Sequence, residues 1–106
     1  PTRMILHAVG PPYDPQHQIS CAGLLRNAHE ACLRLAEEAG IRSIAFPAIS
    51  RSLDPYPYER LAPIAIGAAI DHLERSARSV ETIAFVLLTH GSYQAFAAAL
   101  AARSKI

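Results

Sequence analysis

Residues 41–47 form a short, mostly apolar run, Ile-Arg-Ser-Ile-Ala-Phe-Pro, that ends at a polar, proline-bearing stretch, Ala48-Ile49-Ser50-Arg51-Ser52-Leu53-Asp54-Pro55-Tyr56-Pro57. Residues 58–75 then follow with helical spacing of their apolar positions. A strand that runs into a tight loop and then a helix is the repeating unit of parallel α/β domains. In such domains a phosphate-bearing ligand sits at the carboxyl end of a strand, beside a helix N-terminus. This one stretch therefore restricts both the fold class and the place to look for a site.

The rest of the chain follows the same alternation. Residues 4–9, Met-Ile-Leu-His-Ala-Val, are closed by Gly10-Pro11-Pro12 and predict a buried strand stopped by breakers. Residues 13–18 hold Asp14 and Pro15 and predict a loop. Ser20 is placed to cap a helix running to about Ala39, with Leu24, Leu25, Ala28, Cys32, Leu35 and Ala36 on its apolar face and Gly40 as its stop. Its charges Arg34, Glu37 and Glu38 are expected on a solvated face. In the helix over 58–75, Ile64, Ala68 and residues 70–73 are expected to help form the buried side. Pro63 argues for a nearby start, and Gly67 for close packing against the sheet. Residues 80–88 predict a third strand, and Ser92 caps an alanine-rich helix ending near Arg103.

The order is thus β-α-β-α-β-α, which implies an α/β fold with a mostly parallel sheet and right-handed crossovers. Strands that read as near-continuous apolar runs are expected to be covered on both faces. Three strands make a thin sheet, and an edge lined by Ile5 and Val9 calls for a cover, from a second copy or a partner chain.

Composition narrows the function classes. With 106 residues the chain suits one domain, 1–106, and 51% hydrophobic against 18% charged residues marks a globular chain. No apolar run approaches the roughly 20 residues of a membrane span, so the expected location is soluble and cytoplasmic. A formal net charge of +1 gives no basic surface for nucleic acid. Cys21 and Cys32 lie three helical turns apart, too far for a disulfide within one helix. His17, His29 and His72 are scattered without metal-ligand spacing, so no metal is expected, and His7 is read as a core residue. Ser50 lacks the turn of a nucleophilic serine, and Asp54 is the only carboxylate in its loop.

Several segments resemble the macro domain family, whose members bind ADP-ribose. Phe46-Pro47-Ala48-Ile49-Ser50 resembles the strand end that leads into that family's diphosphate loop, and Tyr56-Pro57 resembles the pair opening its next helix. Leu6-His7-Ala8-Val9-Gly10-Pro11, the helix around residues 25–33, and Thr82 to Leu88 with Tyr93 are similar to further family segments. The resemblance implies a three-layer α/β/α, Rossmann-like fold of which the chain carries the later part. It also implies that the adenine-reading aspartate, the asparagine near the distal ribose and a first glycine-rich loop lie in the part not matched. A fragment, a natural truncation or a partner chain that supplies the rest would each account for this, and residues upstream of Pro1 are left open.

The resemblance places ligand contacts on Ser50, Arg51, Ser52, Leu53, Asp54 and Tyr56, with Leu88, Thr89 and His90 near the adenosine. It implies no cofactor and assigns no catalytic residue. The loop departs from the family pattern: Ser50-Arg51-Ser52 stands where Ser-Thr-Gly or Ser-Ser-Gly is usual, and Pro55 where a second glycine is common. Glycine lets the backbone approach a diphosphate, whereas Ser52 adds a Cβ and Pro55 removes an N–H donor. Arg51 offsets this with a guanidinium suited to phosphate. The expectation is weak recognition of ADP-ribose, a related nucleotide diphosphate or an ADP-ribosylated protein. Two alternatives stand beside it: a degenerate macro fold serving as an interaction or structural module, and part of an ADP-ribosyl hydrolase completed by another segment. The bland readings are an anchoring role for Tyr56, a solvent-facing turn histidine for His90 and a rigid turn over 52–57.

Overall fold

The structure is a computed structural model that describes residues 4–8, 10–50 and 55–104. A 3-10 turn, Pro15–His17, leads into helix α1, Gln18–Glu38, and then come strand β1, Ser43–Pro47, helix α2, Tyr58–Arg75, strand β2, Thr82–Val86, and helix α3, His90–Ser104. The two strands pair in parallel with Ser43 opposite Thr82 and Pro47 opposite Val86.

Local chemistry explains the boundaries. Asp14 accepts from the Gln16 N–H and starts the 3-10 turn, so α1 begins at Gln18 and the expected cap, Ser20, lies inside the helix. At its other end Gly40 adopts φ +69°. The Gly40 N–H donates to the Glu37 carbonyl and the Ile41 N–H to the Ala36 carbonyl, the double bond of a Schellman stop. Helix α2 spans 58–75 as expected. Pro63 sits in its second turn on the exposed side, where water can reach the carbonyl that loses its N–H partner. Helix α3 is capped by Thr89 and not by Ser92 alone. The Ser92 N–H donates to Thr89 Oγ1 (3.1 Å) and the Thr89 N–H to Ser92 Oγ (3.3 Å), a reciprocal capping box.

All three helices lie on one face of the sheet. Ile44, Phe46, Ile83 and Phe85 point into the clusters formed with Leu25, Cys32 and Leu33 of α1, Leu61, Ala62, Ala65 and Ile66 of α2, and Phe96 and Ala99 of α3. The Phe46, Phe85 and Phe96 rings form a chain with centroids 5.6 and 5.1 Å apart. The opposite face carries Ala45, Ala84 and Val86 and is exposed among the described residues, so the expected cover on both faces is not supplied by them.

Other expectations are corrected. Residues 4–8 form no strand; Leu6 and Ala8 pack on the Phe46 cluster while Ile5 and His7 face outward. The period-2 pattern is thus kept without ladder hydrogen bonds, and His7 is not a core residue. Val9 lies outside the described residues. On α1 the buried stripe runs Cys21, Leu25, His29, Cys32, Leu33 and Ala36, leaving Leu24 and Leu35 exposed. On α2 the stripe centres on Leu61 to Ala69, and Leu73 is exposed. Gly67 lies under the Arg26 and Arg103 guanidinia and not against the sheet. Glu37, expected in solvent, is buried.

Candidate functional site

Parallel pairing decides where a site can form. Because Pro47 and Val86 are partners, both strands end together, and the segments 48–50 and 87–89 leave the sheet at the same edge. This carboxyl edge is where open α/β sheets bind ligands. Ala48, Ile49 and Leu87 pack on the same cluster as Tyr56, so the two segments share one floor.

Ser50 is the turning point of the first segment. It adopts φ +63°, a left-handed conformation that costs a non-glycine residue roughly 1–2 kcal/mol. Its carbonyl accepts the Tyr56 N–H at 2.9 Å, which closes the loop. Its Oγ is buried and finds no hydrogen-bond partner among the described residues. Gly10 lies directly against it: a Cβ built on Gly10 would stand 1.8 Å from Ser50 Oγ. Sequence reasoning read Gly10 as a strand breaker and as part of a family-like segment, not as a partner of Ser50. The signal that it does more is the absence of a side chain where two segments meet.

Tyr56 is 2% exposed and packs edge-on against Tyr13, ring centroids 5.0 Å apart. Burial, then the neighbouring Cys21 and Tyr13, raises its pKa above the usual phenol value, so the ring enters neutral chemistry only. That geometry makes it an anchor for the loop. Leu88 is 93% exposed at the same edge, and His90 is exposed at the first position of α3. The Thr89 hydroxyl is engaged in the α3 cap. Arg51, Ser52, Leu53 and Asp54 lie outside the described residues.

Titratable groups elsewhere have structural work. His29 is buried, its Nδ1 2.9 Å from the Leu25 carbonyl, and burial lowers its pKa. Burial raises the Cys32 thiol, and both cysteines are free and buried. A groove of about 450 Å3 between α1 and α2 is lined by Arg26, Glu30, Asp71, Glu37 and His72, which pair among themselves, together with Arg34, Arg75 and Arg78. Arg26 lies 2.6 Å and Arg103 2.7 Å from the Asp71 carboxylate, and Glu37 meets His72 at 2.7 Å. Among the described residues no group of three or more His, Cys, Asp or Glu is placed to hold a metal ion. None of their helices is long and apolar enough to cross a membrane.

The family model of the macro domain matches residues 1–65. The chain belongs to the macro domain family. A macro domain-containing protein of Streptomyces coelicolor is 38% identical over 98 residues, covering 92% of this chain and 54% of that protein. O-acetyl-ADP-ribose deacetylase 1 of Pantoea vagans is 31% identical over 97 residues, covering 91% of this chain and 55% of the enzyme. The Oceanobacillus iheyensis macrodomain solved with ADP superposes with a TM-score of 0.80 at 28% identity, over 90% of this chain and 48% of that one. The chain spans about half the length of these relatives. Its three helices and parallel strand pair are thus macro-domain elements, and the loop at Ser50 lies at the carboxyl edge of a macro-domain sheet.

Proposed function

We propose that this chain recognises ADP-ribose or a related nucleotide diphosphate, free or attached to protein, through the loop that begins at Ser50, and that it does so weakly on its own. The observation that carries the reading is the left-handed backbone of Ser50 at the carboxyl edge. A left-handed residue in a turn aims successive backbone N–H groups into one concavity, the arrangement that binds phosphate oxygens. The loop lacks the usual glycine at Ser52, yet a serine supplies positive φ two positions earlier. Arg51 and Ser52 are assigned to the diphosphate, with Leu53 and Asp54 flanking it. Leu88, Thr89 and His90 stand at the adenosine side, with Leu88 offering an exposed apolar surface. Tyr56 supports the loop from below. Because the buried Ser50 Oγ is turned toward Gly10, Ser50 contributes through its backbone.

The test is a titration of ADP-ribose into the purified chain, followed by amide shifts. Saturable shifts over 49–58 and 88–91 are expected. A folded chain that shows none at millimolar ligand refutes the proposal for this chain alone. The likeness to O-acetyl-ADP-ribose deacetylase 1 favours a second reading, that the chain forms part of a hydrolase acting on ADP-ribosyl groups once another segment completes it. Release of ADP-ribose from a modified protein, no faster than a blank with the isolated chain, is the expected result. Turnover by the isolated chain overturns the assignment of binding without catalysis.

A further inference from the structure

The contact between Gly10 and Ser50 has a consequence that reaches beyond the loop itself. Ser50 combines two unfavourable features, a left-handed backbone and a buried hydroxyl with no hydrogen-bond partner among the described residues. Such features persist only where the surroundings over-determine them. Two constraints do so here. The Tyr56 N–H holds the Ser50 carbonyl at 2.9 Å from the loop side. From the other side, the backbone at Gly10 approaches so closely that a Cβ there would meet Ser50 Oγ at 1.8 Å, Ser50 Cβ at 3.1 Å and Leu25 Cδ1 at 3.4 Å. Rotating the serine side chain would move Oγ but leave the tight Cβ contact. The floor under Ser50 is therefore shaped by a residue forty positions away, on the segment that precedes α1.

We propose that Gly10 is a positioning residue for Ser50, the root of the proposed ligand loop: by lacking a side chain it leaves room for Ser50 to keep its left-handed conformation with its carbonyl held by the Tyr56 N–H. This rests on the function proposed above for the loop, yet it makes a structural claim that can be read without ligand. Replacing Gly10 by alanine pushes Ser50 outward and breaks the Tyr56 closure. Replacing Ser50 by glycine removes both the colliding atoms and the cost of positive φ.

The test uses Gly10→Ala, Ser50→Gly and the double variant, each followed by hydrogen exchange at the Tyr56 amide and by ADP-ribose titration. Gly10→Ala is expected to lower Tyr56 protection at least tenfold and ADP-ribose affinity by a similar factor. The double variant is expected to return both to the level of Ser50→Gly alone. Unchanged Tyr56 protection in Gly10→Ala overturns the proposal, as does a double variant as impaired as Gly10→Ala. If the original chain shows no ADP-ribose binding, the proposed function fails while Tyr56 exchange still decides the role of Gly10. If Gly10→Ala does not fold, recovery of the fold in the double variant supports the contact, and its failure to recover refutes it.

Discussion

Glu37 offers the sharpest test of the physical reading. Its side chain is 3% exposed and near the carboxyl end of α1, where the helix dipole disfavours negative charge. Burial by itself pushes a carboxyl pKa up. Here the Ser79 N–H (2.7 Å), His72 Nε2 (2.7 Å), the Arg78 N–H (3.1 Å) and the Ser79 hydroxyl (3.0 Å) converge on it and hold the pKa at about 2, against 4.5 for a free glutamate. One carboxylate thus joins α1, α2 and the turn entering β2. A fall from 4.5 to about 2 corresponds to roughly 3 kcal/mol of stability. That is a large share of the 5–15 kcal/mol typical of a domain. The folded pKa is depressed, so this stability is complete above pH 4.5 and is lost as pH falls toward 2. Glu37→Gln keeps the shape but presents an amide N–H2 to donors, and is expected to cost about 3 kcal/mol at pH 7. Urea unfolding of both proteins at pH 7, 4 and 2.5 measures it. The gap is expected to narrow on acidification. A gap under about 1 kcal/mol at pH 7, or one that stays constant with pH, would refute the account of Glu37 as a charged tie.

Two further outcomes follow from packing and backbone. Tyr56→Ala removes a ring that is 2% exposed and is expected to cost about 4 kcal/mol in urea unfolding, while Leu88→Ala, at 93% exposure, is expected to change stability by less than about 0.5 kcal/mol; equal costs would contradict the assigned burial. Gly40→Ala forces a Cβ into φ +69° and is expected to lower stability by about 1 kcal/mol, a fall of several degrees in Tm, whereas a rise in Tm would mean the α1 stop is not left-handed.

Much of the fold was legible because its signals are local. The stop of α1 at Gly40, the span of α2 and the strand cores around Ile44 to Phe46 and Thr82 to Val86 follow from breakers and apolar runs within a few residues. What was misread depends on distant partners. Glu37 looks like any charge on a helix face until the turn at 78–80 brings four donors to it. Leu24 and Leu35 fit a 3.6-residue pattern as well as Leu33 does, and only the position of the sheet decides which face is inward. Residues 4–8 have strand composition, but a strand also needs a neighbour for its backbone groups, and composition carries no information about that.

For the candidate site the sequence indicated a place in the fold more than a mechanism. Parallel pairing of β1 and β2 puts the loop and residues 87–89 at one edge, and the alternation of elements already implied this. The expectation for the loop turned on glycine: without it at Ser52, the backbone was expected to bind diphosphate poorly. Ser50 alters that argument, because the left-handed residue is a serine and the missing side chain is at Gly10. The conformational freedom expected of a loop glycine is replaced by space made on another segment. A loop that obtains positive φ from packing loses it when the packing partner changes. A loop glycine has no such dependence. Under the proposed function, ligand recognition would be tied to how the segment before α1 seats against Ser50, and the Gly10 and Ser50 variants separate these two origins of the same backbone geometry.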